Sequence, residues 1–149
     1  MSFLPRLEDA KASGDVGWIA AYVPYARFLG ITHDASEDGE LVARMPFDAR
    51  LVGNPAVPAL HGGCIGALLE HTALSVVLWR LQVQSVPKTI TVSVDYLRPG
   101  RLEDVYAAGR ITKQGRRVVN VQVEAWQESR DRLIASATVH CLVNSAQEA

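Results

Sequence analysis

The chain has 149 residues, the usual size of one domain, with 48% apolar and 21% charged residues, proportions ordinary for a soluble globular protein. A formal net charge of -1 gives no overall basic field for nucleic acid or for an anionic membrane surface. The acidic N-terminal stretch MSFLPRLEDAKASGD has no apolar signal core, and Cys64 and Cys141 sit in apolar contexts without metal-type spacing. Those features imply reduced packing thiols and a cytoplasmic location.

Residues 5–27 are helix-prone, with Trp18, Ile19, Tyr22 and Val23 at helical spacing. Gly14, Gly17 and Pro24 interrupt the run, so two short helices, or a helix and a turn, are expected. FLGITHDAS, EDG and ELVARMPF then read as strand, turn and strand, with Leu41, Ala43 and Met45 alternating. DARLVGNPAVPAL carries Gly53, Pro55 and Pro58 and reads as a loop. A long apolar helix follows over 62–82. Its run is broken by Glu70, His71, Thr72 and Ser75, which marks a buried helix and not a membrane span.

Four strand-like segments follow: KTITVSVDYLR, LEDVYAAGRITK, RVVNVQVEAWQES and LIASATVHCLVN. In the third, Val119, Val121, Val123 and Ala125 alternate with Asn120, Gln122 and Glu124, a period of two. A helix apolar nearly all round needs cover on most faces, and a twisted antiparallel sheet wrapped around it supplies that cover. The fold class is therefore α+β, a single domain over 1–149 with a helical segment at about 1–27.

The stretch HGGCIGALLEHTALSVVLW poses the chemical question, because Glu70 is its one carboxylate. The amides of Gly62 and Gly63 open the helix, lack intrahelical acceptors and point at approaching negative charge. Glycine there lets a ligand approach the backbone closely, as an oxyanion hole for a thioester or ester carbonyl requires. Glu70 lies about 12 Å further along the axis, so one chain's Gly62 and Glu70 cannot both reach one carbonyl carbon. Two antiparallel helices crossing near Gly66 would bring Gly62 of one copy to Glu70 of the other, which predicts a homodimer with two composite sites. The competing reading makes Gly62 and Gly63 loop glycines and Glu70 a buried acid paired with Arg44, Arg80 or another base.

HGG with an acid nine positions after its histidine resembles the hotdog-fold acyl-CoA thioesterases of the phenylacetate-pathway type. PF, GNP, HGG, VDYLRP and GRRV fall in the family's order, and the resemblance covers about 29–143. It implies a hotdog fold and hydrolysis of an acyl-CoA thioester, with Glu70 as general base for water or as nucleophile. It gives Gly62 the oxyanion amide and His61 the support of the helix start. Asn54 is the candidate for the polar residue before the histidine that orients substrate or water. It stands seven residues before His61 where six is usual, and Pro55 occupies the usual place. The family's hydroxyl one turn after the acid is replaced by Leu74, and Thr72 and Ser75 are read as bonding backbone carbonyls.

No metal or redox cofactor is implied; CoA enters as part of the substrate. Gly63 is a substrate-binding candidate, and Arg98, Arg116 and Arg117 are candidates for the CoA phosphates, for which guanidinium forks are suited. Tyr25, Phe28 and Trp79 are core by default, with an acyl or aryl pocket as the alternative. His71 is read as a packed or interface residue, and His33 and His140 as ordinary strand residues. The expected partners are acyl-CoA and a second copy of the chain, in a homodimer or a tetramer built as a dimer of dimers, without nucleic acid or membrane. A hotdog hydratase or dehydratase and a non-catalytic acyl-CoA binding module remain as alternatives.

Overall fold

The N-terminal segment forms three helices, not two: α1 (Phe3–Ser13), α2 (Trp18–Tyr22) and α3 (Pro24–Leu29). Gly14 ends α1 with a φ of 72°, which glycine adopts without a Cβ penalty. The break between α2 and α3 is Val23, held extended at φ -79° and ψ 116°. The ring of Pro24 disfavours helical geometry in the residue before it, and Pro24 itself opens the next helix. The computed structural model describes residues 2–144; Met1 and 145–149, which the single-domain expectation also spans, lie outside the described residues.

Strands β1 (Thr32–Ala35) and β2 (Leu41–Met45) form the expected hairpin. The segment expected to be a plain loop is more ordered. A 3-10 turn at Ala49–Leu51 leads into β3 (Val52–Asn54), which pairs with β4 (Ala59–Leu60) in a small separate sheet. Pro55 and Pro58 fall in the turn between them, so neither costs a ladder bond. Gly53 backs onto the start of the long helix, where a Cβ would lie 2.8 Å from His61 Cα. Only glycine fits that approach.

Helix α4 (Gly62–Arg80) ends two residues before the expected boundary, and β5 (Lys88–Tyr96), β6 (Val105–Gln114), β7 (Val118–Trp126) and β8 (Ala135–Leu142) follow. Six strands make one antiparallel sheet in the order β1-β2-β6-β7-β8-β5. The sheet wraps α4, which is the hotdog arrangement. Leu68 and Leu69 point about 100° apart yet both are fully buried, so the helix is covered on more than one side. The inward row of β7, Val119, Val121, Val123 and Ala125, is fully buried as its period predicts. Although α4 is long and apolar enough to cross a membrane, more than half of it is buried inside the protein, as in a core helix. At its far end the Lys11 ammonium of α1 donates to the Leu81 carbonyl at 3.0 Å, meeting the negative end of the helix.

The two sheet edges differ. β1 is four residues long and carries Asp34, whereas β5 is nine residues long with Ile90 and Tyr96 more than half exposed.

Candidate active site

His61 occupies the N-cap of α4 with extended backbone geometry, and its Nδ1 accepts the Gly63 N–H at 2.8 Å. Accepting there places the neutral ring's proton on Nε2. This capping bond consumes Gly63, one of the two candidate amides. The Gly62 N–H has no acceptor among the described residues and is the helix-start donor left for a substrate oxygen. His61 is itself fixed from below, its N–H donating to the Leu51 carbonyl at 2.7 Å.

Tyr96, at the end of β5, was not singled out from the sequence. Its hydroxyl donates to the Gly62 carbonyl at 2.8 Å, and its ring lies over the glycine face of the helix. A Cβ on Gly62 would stand 3.2 Å from the ring, and one on Gly66 3.2 Å from the hydroxyl oxygen. The glycines at 62 and 66, one turn apart, thus make room for this chain's own tyrosine as well as thinning the exposed strip.

Glu70 lies two turns along α4, half-buried. It makes no hydrogen bond or ion pair among the described residues. The bases proposed as structural partners are engaged elsewhere: Arg44 pairs with Asp104 at 2.6 Å, and Arg80 donates to the Gly39 carbonyl. The inner side of Glu70 faces β8, where burial and then the Glu70 charge push the Cys141 thiol up to about 11. Burial also raises Cys64, so both cysteines stay protonated, apolar packing groups with no nucleophilic character. Gly63, Gly66, Ala67, Glu70 and Leu74 follow helical spacing along the incompletely covered side of α4.

The other candidates separate. The Asn54 carboxamide is exposed and accepts the Ala56 N–H at 3.0 Å, closing its own turn. Among the described residues no hydrogen bond joins its side chain to the helix start. Thr72 and Ser75 bond the Leu68 and His71 carbonyls, each at 2.7 Å, as expected of hydroxyls in a buried helix. His71 turns toward β1, where its ring stacks on His33 with centroids 5.0 Å apart. Burial, and next the neighbouring His33, hold His71 down at about 4. His33 is not an ordinary strand residue: it is 5% exposed, burial lowers its pKa, and its Nε2 has no hydrogen-bond partner.

Tyr25 and Phe28 are exposed and stack on each other, so neither is core, whereas Trp79 packs partly buried against the N-terminal helices. Arg98 follows β5 at the helix-start end of the sheet. Arg116 and Arg117 lie at the β6–β7 turn, beside the start of β5, roughly 30 Å of strand away. One chain therefore cannot use all three on one phosphate group. Among the described residues no group of histidines, cysteines and carboxylates could hold a metal ion.

A helix-start amide with a free hydrogen and an unpartnered carboxylate, both on a helix wrapped by an antiparallel sheet, are groups of the kind that acyl transfer uses. The family model described as the thioesterase superfamily matches residues 58–134. The medium/long-chain acyl-CoA thioesterase YigI of Escherichia coli K12 is 31% identical, over 82% of this chain and 86% of that protein. A crystal structure of a Chromobacterium violaceum protein is 35% identical with a TM-score of 0.79, covering 97% of this chain and 99% of that one. A phenylacetic acid degradation-related protein from Ralstonia eutropha is 29% identical with a TM-score of 0.72, over 81% and 91% of the two chains. The chain belongs to the thioesterase superfamily, which places it among thioester hydrolases.

Proposed function

We propose that the chain hydrolyses an acyl-CoA thioester to the free acid and the thiol, at two composite sites of a homodimer. The observation that carries this reading is the pair of unspent groups on α4: the Gly62 N–H and the Glu70 carboxylate, on one helix but about 12 Å apart along its axis. Two copies of α4 crossing antiparallel near Gly66 bring each carboxylate to the other chain's amide. The half-open side of α4 and the edge strand β5, with Ile90 and Tyr96 exposed, support that pairing, because both are surfaces a second copy can cover. The acyl-CoA substrate is supported by the Escherichia coli relative's activity and by a structure of a Bacillus halodurans protein of this fold solved with CoA.

In the reaction, Glu70 takes a proton from water as the oxygen attacks the thioester carbonyl carbon. The carbonyl oxygen, gaining negative charge, is held by the Gly62 N–H at the positive end of α4. Collapse of the tetrahedral species breaks the C–S bond, and the proton held by Glu70 passes to the departing thiolate. His61 acts through geometry: by capping Gly63 it fixes the turn that aims Gly62.

Complementation between two disabled chains tests the composite site. Glu70→Gln removes the base, with an expected loss of about a thousandfold in kcat. Gly62→Pro removes the amide hydrogen and suits the first helical position, His61 already having the extended geometry it demands (φ -64°, ψ 128°), while the Tyr96 ring, 3.2 Å from a Cβ at this position, has to give way slightly. Each variant alone is expected to release almost no thiol from acyl-CoA. Mixed in equal amounts after reversible dissociation, they should recover about a quarter of wild-type activity, because half the dimers carry one intact site of two. No recovery in proven heterodimers overturns the composite site. Wild-type-like turnover by Glu70→Gln overturns the mechanism.

A further inference from the structure

We infer that the Thr89 hydroxyl, turned into the protein by a bulge in β5, orients the attacking water by accepting one of its hydrogens while Glu70 accepts the other; this rests on the hydrolase reading above. The bulge makes the case. Val92 and Val94 of β5 pack inward against the core. Regular alternation would carry that inner row on to Ile90 and turn Thr89 outward. The register shifts between Thr89 and Thr91 instead, so Thr89 lies opposite the fully buried Cys141, and Thr91 opposite His140. Ile90 is left 53% exposed.

That exchange runs against the usual gain from burial. An apolar side chain is given up to solvent and a hydroxyl takes its inner place. The Thr89 oxygen is closed off from solvent and has no hydrogen-bond partner among the described residues. A buried hydroxyl without a partner costs stability, and a bulge that re-aims a side chain is a common device beside active sites.

Cys141 relates the threonine to the base. Thr89 is its neighbour across the strand pair, and Glu70 faces it from α4, close enough for its charge to act on the thiol. Two unspent polar groups thus border one inert thiol, with no direct hydrogen bond between them. A water between them finds a carboxylate for one hydrogen and a hydroxyl oxygen for the other, which leaves an oxygen lone pair for the thioester carbon. As the new C–O bond forms, Glu70 takes the first hydrogen as a proton, and Thr89 keeps its own. The nearby hydroxyls of Thr72 and Ser75 are spent on the Leu68 and His71 carbonyls, and that of Tyr96 on the Gly62 carbonyl. Base and orienting hydroxyl therefore come from one chain, and the oxyanion amide from the other.

The test measures thiol release from an acyl-CoA by Thr89→Val and Thr89→Ser, alongside urea unfolding of both. Valine keeps the branched shape and removes the hydroxyl, so kcat should fall about tenfold with KM unchanged. The valine variant should be at least as stable as the wild type, because it no longer buries a hydroxyl without a partner. Serine keeps the hydroxyl and should hold kcat within about twofold of the wild type. Wild-type kcat in the valine variant overturns the role of Thr89 while the hydrolase reading stands. A valine variant both slower and less stable, with the serine variant equally slow, makes Thr89 a packing residue and also overturns it. Should the wild type release no thiol from acyl-CoA, the hydrolase reading falls and takes this role with it.

Discussion

At the scale of the residue, the site depends on small donors and acceptors being spent or left free. His61 takes the Gly63 hydrogen and Tyr96 gives one to the Gly62 carbonyl, so the Gly62 N–H is what remains. Tyr96→Phe keeps the ring against Gly62 and Gly66 and removes only the hydroxyl. The expected cost is about 1 kcal/mol of stability by urea unfolding, with kcat reduced more than KM if the carbonyl it holds belongs to the proposed oxyanion residue. Equal stability and activity in the variant would show the bond to be idle. Glu70 and Gly62 were legible in the sequence because their residue types and spacing state a chemical problem. Tyr96 was not, because it stands 34 positions from its partner and nothing local marks it. The separation of Arg98 from Arg116 and Arg117 was hidden for a similar reason: turn arginines look alike until strand order assigns them to opposite ends of a sheet.

At the scale of the element, α4 is a buried helix with a histidine cap in place of the usual serine, threonine or aspartate. Losing the cap leaves the Gly63 N–H without its partner, so His61→Ala should destabilise the fold by about 1 kcal/mol, whereas His61→Asn should restore most of it, asparagine being a strong N-cap. Thermal unfolding of the two variants distinguishes a cap from a residue that merely packs. The strands of the meander were readable because their burial alternates with period two, and the helix because its apolar run is long and holds no proline. The β3–β4 hairpin was hidden: Gly53, Pro55 and Pro58 are turn signals, and its strands are too short to show a period. Val23 hid the third helix for the converse reason, one residue displaced by the proline after it.

At the scale of the whole molecule, the stacked pair of His33 and His71 ties stability to pH. Both imidazoles are neutral in the fold, His33 with a lowered pKa and His71 at about 4, against an ordinary 6.5. Below 6.5 the unfolded chain takes up protons that the folded chain refuses, so stability falls as pH drops from about 6.5 toward 4 and levels off for His71 beneath that. His71 alone should contribute a loss of about 3 kcal/mol across that window. Urea midpoints at pH 7.5, 6 and 4.5 measure it, and His71→Gln should flatten the slope. A slope unchanged in that variant would assign the acid sensitivity to other groups.

The inequality of the two sheet edges limits how the molecule can assemble. Adding copies strand to strand without end needs two receptive edges per molecule, one to accept and one to offer. β1, only four residues long, is a poorer template than the nine-residue β5, where Ile90 and Tyr96 are exposed beside Lys88 and Asp95. A molecule with one receptive edge can be joined there once. Such growth terminates at two, and anything larger has to be built face to face.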